Sequence, residues 1–210
     1  MNTILEKIKK HSKPLSGKLS KEQLVNNNSS DPVKLFESEA VKTDSVVVLC
    51  AGIDEAYTKL NEIFADQNSL VFSGLIDESF VNKMKELNPG KKVVTVTEIE
   101  SNLKDELSKI NISVSRPEYI IAETGTAVMR TSKEEPRLLS VLADISVILA
   151  KKEQIIPSMS DFLKLSKEKI EDFNKTSAYV FITGPSRTAD IEKILVIGVH
   201  GPGKLIYILY

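Results

Sequence analysis

Residues 45–68 read SVVVLCAGIDEAYTKLNEIFADQN, and the reading of this stretch decides the fold. Val46–Cys50 is a β-branched, apolar run without alternation, the pattern of a strand buried on both faces. Gly52 ends it. Ala56, Leu60, Ile63 and Phe64 then recur at helical spacing, with Asp54 as the expected N-cap. A fully buried strand that passes at once into an amphipathic helix is the first half of a βαβ unit.

The same grammar continues outward. LVFSG (70–74) reads as a strand, and Phe80, Val81, Met84 and Leu87 set a helix over DESFVNKMKEL (77–87). KVVTVT (92–97) is the next strand, and Ile99, Leu103 and Leu107 set a helix over 98–110. Strand–helix alternation with short connections predicts an α/β fold, an open and mostly parallel sheet flanked by helices. Past residue 110 the pattern shifts. NISVS, YIIAETG and TAVMRTS are strand-like pieces, EEPRLLSVLAD (134–144) a short helix, and ISVILA (145–150) a strand. SMSDFLKLSKEKIEDFN (158–174) is expected to be a helix with Met159, Phe162, Leu163, Ile170 and Phe173 inward. AYVFITG, a short helix over TADIEKI (188–194), and the strands LVIGV and LIYILY about the turn HGPGK complete the chain. The last run is apolar on both faces, which places it inside the sheet or against a second copy, so a homo-oligomer is one expectation.

Upstream, NTILEKIKK (2–10) sets Ile4, Leu5 and Ile8 on one helical face, and residues 12–32 are rich in Lys, Ser and Asn. The division expected is an N-terminal helical arm and flexible linker over 1–32, then an α/β domain over 33–210.

The totals exclude several classes. A formal net charge of -1 lacks the basic surplus of a nucleic-acid binder. No apolar run approaches the ~20 residues that span a bilayer, and the N-terminus lacks a signal peptide's apolar core. Cys50 is the single cysteine, so no internal disulfide and no multi-cysteine zinc or iron–sulfur site can form. A cytoplasmic protein with a buried core thiol is expected.

Two polar, glycine-bearing loops follow apolar runs. In AETGTAVM, Glu123 stands just after YIIA, Gly125 permits unusual backbone angles, and Thr124 and Thr126 offer hydroxyls. Glu123 can act as base, nucleophile or ligand acceptor, or it can simply cap backbone amides. In TGPSRTADIE (183–192), Gly184 and Pro185 redirect the chain, and Ser186 or Thr188 is the expected N-cap of the helix that follows. Its amides, with Arg187, suit a carboxylate or phosphate. Asp190 and Glu192 favour the helix dipole, and the whole stretch can equally be no more than a well-capped helix. The GxxxxGK[ST] spacing of a P-loop is absent. His200 lies in a glycine-rich turn as an acid, base or ligand, or as a turn residue bonded to its own backbone. The other histidine, His11, is in the arm, so no metal site is expected. Ligands of open α/β sheets bind beyond the carboxyl ends of strands. The expected cleft therefore joins Glu123, Thr124, Gly125 and Thr126 to Gly184, Ser186, Arg187, Thr188 and Asp190, with His200 at the rim and Arg137 at the side.

At these residues the sequence resembles the lactate-utilisation protein C family, the LUD domain. The resemblance rests on AETGT, RLLSVL (137–142), QIIP (154–157) and above all residues 183–209, TGPSRTADIEKILVIGVHGPGKLIYIL. It is strong over about residues 110–210 and one of pattern before that. It implies a fold similar to the sugar-phosphate isomerase and CoA-transferase-like superfamily. It also implies a non-redox part in oxidising L-lactate to pyruvate, alongside partner proteins that carry the iron–sulfur clusters, with a small carboxylate or phosphate as ligand. ETG is similar to the Glu-X-Gly segment holding the nucleophile of CoA-transferases, which implies an alternative: a stand-alone CoA-transferase- or isomerase-like enzyme using Glu123. Ala143 and Ser146 stand where family members often carry proline and then histidine, leaving His200 as the histidine near the site.

Overall fold

A computed structural model describes residues 31–210 except 101, 170, 172–174, 190–194 and 199. The expected arm and most of the expected linker lie outside the described residues. The chain runs α1 (Pro32–Lys42), β1 (Val46–Leu49), α2 (Ile53–Phe64), β2 (Ser69–Phe72), α3 (Glu78–Leu87), β3 (Lys92–Thr95), α4 (Leu103–Leu107) and β4 (Ile112–Ser115). It continues through β5 (Tyr119–Ile121), β6 (Thr126–Arg130), α5 (Leu139–Leu142), β7 (Ile145–Ala150), β8 (Ile155–Ile156) and α6 (Met159–Glu168). β9 (Tyr179–Ile182), β10 (Arg187–Ala189), β11 (Leu195–Ile197) and β12 (Lys204–Leu209) follow.

Six strands form one parallel sheet in the order β1-β12-β7-β4-β2-β3. Parallel strands need coverage on both faces. On one face Ala56, Leu60 and Phe64 of α2 and Phe80, Val81 and Met84 of α3 pack on Leu70, Phe72, Ile112, Val114, Val147 and Ile208. On the other face lie α1, α4 and α5 together with a second sheet of order β8-β5-β6-β9. The second sheet is antiparallel across β5-β6 and β6-β9.

β12 lies in the sheet interior, between β1 and β7, and Leu205–Leu209 are all buried. Tyr207 links the layers. Its ring meets Phe36 of α1 edge-on, with centroids 4.8 Å apart. Its hydroxyl lies 3.2 Å from each of the carbonyls of Gly125 and Ile182, where it can donate to either. Burial holds the phenol well above its ordinary pKa.

Several expectations are corrected. The helix after TGPSR is instead a hairpin where it is described: Arg187–Ala189 pairs antiparallel with Leu195–Ile197. Ser186 and Thr188 therefore cap no helix there. Strand pairing takes Thr188 and Ala189, and the rest of the expected helix, residues 190–194 with Asp190 among them, lies outside the described residues. The N-cap of α2 is Gly52, with Asp54 in the first turn. α1 begins at a cue inside the expected linker: Asp31 accepts from the Val33 amide at 3.0 Å, and Pro32 opens the helix. EEPRLLSVLAD forms only the single turn Leu139–Leu142. In α6, Phe162 is buried but Leu163 is 54% exposed, while Ile170 and Phe173 lie outside the described residues. Cys50 is a buried free thiol whose pKa is raised by burial, with Glu55 adding to the rise.

Candidate functional site

The two polar loops lie at the amino edge of the parallel sheet, against expectation. β5 and β9, the strands they follow, belong to the second sheet, where the rule for parallel carboxyl ends has no purchase. Gly184 faces Thr43, just before β1, and a Cβ there would lie 2.5 Å from the Thr43 carbonyl. Ser186 donates its amide to the Pro202 carbonyl, and Gly203 donates its amide to that of Asp144, just before β7.

The structure does bring parts of the two loops together. Thr124, Thr126 and Thr183 form a hydroxyl chain, with Oγ1–Oγ1 distances of 2.7 and 2.6 Å. Gly125 adopts φ +62°, and a Cβ would lie 2.5 Å from the Ala40 nitrogen. The charged members face elsewhere. Glu123 accepts the Met159 amide at 2.7 Å, satisfying the first turn of α6. Arg187 pairs with Asp44 at 2.6 Å, where Asp44 itself holds φ +62°. His200 and Arg137 are exposed.

The carboxyl edge carries what sequence reading missed. From β2 the chain leaves through α3 toward β3; from β4 it leaves in the opposite direction, toward β7. The crevice between these strand ends is a topological switch point, where open α/β sheets bind ligands. A cavity of about 790 Å³ opens there on the second-sheet side. Arg116, Arg130, Lys133 and Lys175 face Glu118 and Glu134 in its lining, a surplus of positive charge. A second cavity of about 450 Å³, on the α2–α3 side, is lined by Tyr57, Phe80, Tyr210, Lys151 and again Arg116.

Arg116 directly follows β4 and donates through NH1 to the Leu75 carbonyl at 3.0 Å. Arg130 ends β6 and donates through Nε to Thr176 at 2.9 Å. Gln154 donates its side-chain amide to the Pro117 carbonyl and pins the turn after Arg116. Glu118 Oε2 is buried without a hydrogen-bond partner, and both Glu118 and Arg130 act on the Tyr179 phenol. The Tyr179 hydroxyl is the neighbouring donor to the Glu118 carboxylate. Beneath the cleft lies Glu135, 2% exposed. Its Oε2 accepts the Arg116 amide at 3.1 Å. Burial pushes its pKa up to about 7, opposed by the Ser73 hydroxyl, the Arg116 amide and the Ser115 hydroxyl, in that order. The sequence signal was present in the residues that directly follow β2, β4 and β7, namely Ser73, Arg116 and Lys151.

Among the described residues no cluster of His, Cys, Asp and Glu would hold a metal ion, and no helix is long and apolar enough to cross a membrane.

The fold and cleft define an open α/β domain with a ligand-sized crevice at the switch point of its parallel sheet. Residues 33–210 match the profile of the LUD domain, and the chain belongs to that family. It is 40% identical over 100 residues to lactate utilization protein C of Bacillus licheniformis, covering 47% of this chain and 42% of that protein. It is 37% identical over 111 residues to lactate utilization protein C of Bacillus subtilis, covering 52% and 46%. The matched stretch thus spans under half of either relative. The uncharacterized protein YkgG of Escherichia coli is 28% identical over 190 residues, covering 89% of this chain and 81% of that one. A crystal structure of a DUF162 family protein from Deinococcus radiodurans shares the fold, with a TM-score of 0.64 at 17% identity over 85% of this chain and 95% of that one.

Proposed function

We propose that this chain is a non-redox subunit of an L-lactate utilisation system, acting with iron–sulfur partner proteins and holding a small hydroxy-carboxylate or phosphate in the carboxyl-edge cleft. The observation that carries the role is the 37–40% identity to two proteins named for lactate utilisation. The cleft supplies matching chemistry. Arg116 and Arg130 are guanidiniums suited to a planar carboxylate. Glu118, beside the Tyr179 hydroxyl, is an acceptor that a substrate hydroxyl could also reach through Oε2. At about 790 Å³ the cavity has the volume of a site for larger ligands. A three-carbon acid would leave it part-filled, which fits a cleft completed by a partner.

The stand-alone enzyme using Glu123 is less favoured, because that carboxylate is engaged at the start of α6. The test is recovery of the tagged chain from lactate-grown cells of its source, with an assay for lactate-dependent dye reduction. Iron–sulfur proteins and activity should be recovered with the wild type, and activity lost with Arg116→Ala. Recovery of the chain alone, without dye reduction, would refute the reading.

A further inference from the structure

Glu135 is a carboxyl that the fold fixes under the cleft without a counter-charge, and the inference drawn from it rests on the cleft reading above. Its backbone is clamped. The Glu134 carbonyl accepts from the Ser73 hydroxyl at 3.1 Å and from the Gly74 amide at 2.8 Å. The amides of Glu134 and Glu135 both donate to the Ser132 hydroxyl at 3.1 Å. Gly74 packs so closely that a Cβ there would lie 3.1 Å from that of Glu134. The loop therefore cannot swing the carboxyl out to water without breaking these contacts.

The surroundings are polar but leave its charge uncompensated. The end of β2 offers Gly74 and the Ser73 hydroxyl, and the end of β4 the Ser115 hydroxyl and the Arg116 amide, dipoles that favour the charged form without supplying a charge; Glu118 lies two residues on, and the end of β6 offers Arg130. On its own loop are Lys133, Glu134 and Arg137. The Arg116 and Arg130 side chains bond Leu75 and Thr176 instead. None of the ion pairs among the described residues includes Glu135. A glutamine would keep the Arg116 amide bond without the burden of a buried charge, so a carboxyl here is costly as a mere strut.

We infer that Glu135 is the proton-carrying group of the cleft: an anion seated at Arg116 draws a proton onto the buried carboxyl, and ionisation of that carboxyl weakens the anion's hold. The balance is a proton taken from solvent onto a Glu135 oxygen only in those molecules whose carboxyl was ionised, about half a proton per anion near pH 7.5 for a shift of about one unit, and the same amount released as the anion leaves. Glu135 acts through the field beneath Arg116, so it is a positioning residue. A carboxylate whose oxygen accepts the Arg116 amide at 3.1 Å and an anion at the same arginine are like charges, and a mutual opposition of about 1.4 kcal/mol changes affinity about tenfold.

The test uses sulfate, an anion whose own charge is fixed between pH 5.5 and 9. Glutamate carboxyl carbons of the 13C-labelled full chain are followed by NMR through a pH titration, with and without saturating sulfate. Isothermal titration in buffers of different ionisation enthalpy counts the protons taken up. The expected result is one carboxyl titrating near 7, moved upward by about one unit when sulfate is bound, and an affinity about tenfold weaker at pH 8.5 than at pH 6. Glu135→Gln should remove that resonance and flatten the affinity to within about twofold. Sulfate that binds with no proton uptake, leaving the midpoint unmoved, overturns the Glu135 inference and leaves the cleft standing. Sulfate that fails to bind, or binds Arg116→Ala equally well, overturns the cleft and the inference together. The wild-type titration decides the matter even if the Gln variant folds poorly.

Discussion

Replacing Glu135 by glutamine should stabilise the chain above neutral pH relative to its effect at pH 4.5. The carboxyl's pKa rises from 4.5 to about 7 on folding. The folded state thus holds a proton that the unfolded state has already released across the window from about pH 4.5 to 7. Stability falls as pH rises wherever the folded state binds the extra proton. This group's contribution is therefore full below the unfolded pKa, declines through the window, and is lost above the folded pKa. A difference of about 2.5 units at 1.36 kcal/mol each comes to about 3 kcal/mol, a large share of the roughly 5–15 kcal/mol that holds a domain folded. Glutamine mimics the protonated form at every pH and keeps an oxygen for the Arg116 amide, so the variant escapes this loss. The assay is urea unfolding of both proteins at intervals from pH 4.5 to 8.5. It is followed by far-UV circular dichroism, since the chain has no tryptophan. A constant offset between them would reflect packing of the amide and does not bear on the argument. The stability gap should widen by about 3 kcal/mol from the acid end to the basic end. A gap that stays flat with pH would refute the claim that this carboxyl is protonated in the fold near neutrality.

Arg116→Ala should lower sulfate affinity at least tenfold, by titration calorimetry, while the urea midpoint moves little, because the side chain is exposed. Arg187→Ala removes a pair whose arginine is 35% and whose aspartate is 63% exposed, so it should cost less than about 1 kcal/mol, fading with salt. If Arg187→Ala instead abolishes sulfate binding and Arg116→Ala does not, the ligand site is at the amino edge. Tyr207→Phe should cost about 1–2 kcal/mol in urea unfolding, because a buried carbonyl loses its donor. Gly125→Ala should cost about 2–4 kcal/mol in the same measurement, from the left-handed backbone together with the clash against Ala40.

The parallel sheet is legible because β1 and β2 are dense apolar runs, β3 carries Val93 and Val94, and the helices between them carry clear periodicity. α1 was missed although Asp31 and Pro32 announce it, because the polar composition around them reads as linker. The hairpin after Ser186 was read as a helix because Ala189, Ile191 and Ile194 fall at helical spacing in a short window. Local propensity there is weak, and pairing of Arg187–Ala189 with Leu195–Ile197 decides the outcome. The second sheet is the reason the two polar loops lie at the amino edge and not at the carboxyl ends of the parallel strands. Its strands look like the others in sequence, and only topology tells that the loops after β5 and β9 turn toward the amino edge. Glu123 illustrates the limit: a glutamate after an apolar run has the same spelling whether it faces a substrate or, as here, accepts the amide that opens a helix. Glu135 illustrates the converse, since nothing in EEPR tells which glutamate is buried.

The two edges of the sheet are built for different tasks. At the amino edge, backbone meets backbone: Gly125 against Ala40, Gly184 against Thr43, Gly203 bonded to Asp144. Such contacts tie the second sheet and the hairpin to the core, with Tyr207 as the cross-piece. At the carboxyl edge the connections part company at β2 and β4, and the backbone cannot fill the space they leave. Side chains line it instead, and the charged ones are mostly cationic. Arg116 lines the cavities on both faces of the sheet, and its amide is held by a carboxyl buried beneath it. An arginine so placed couples what binds on either side to the protonation of Glu135. A ligand or partner acting at this edge therefore has to contend with that one proton, whichever face it approaches.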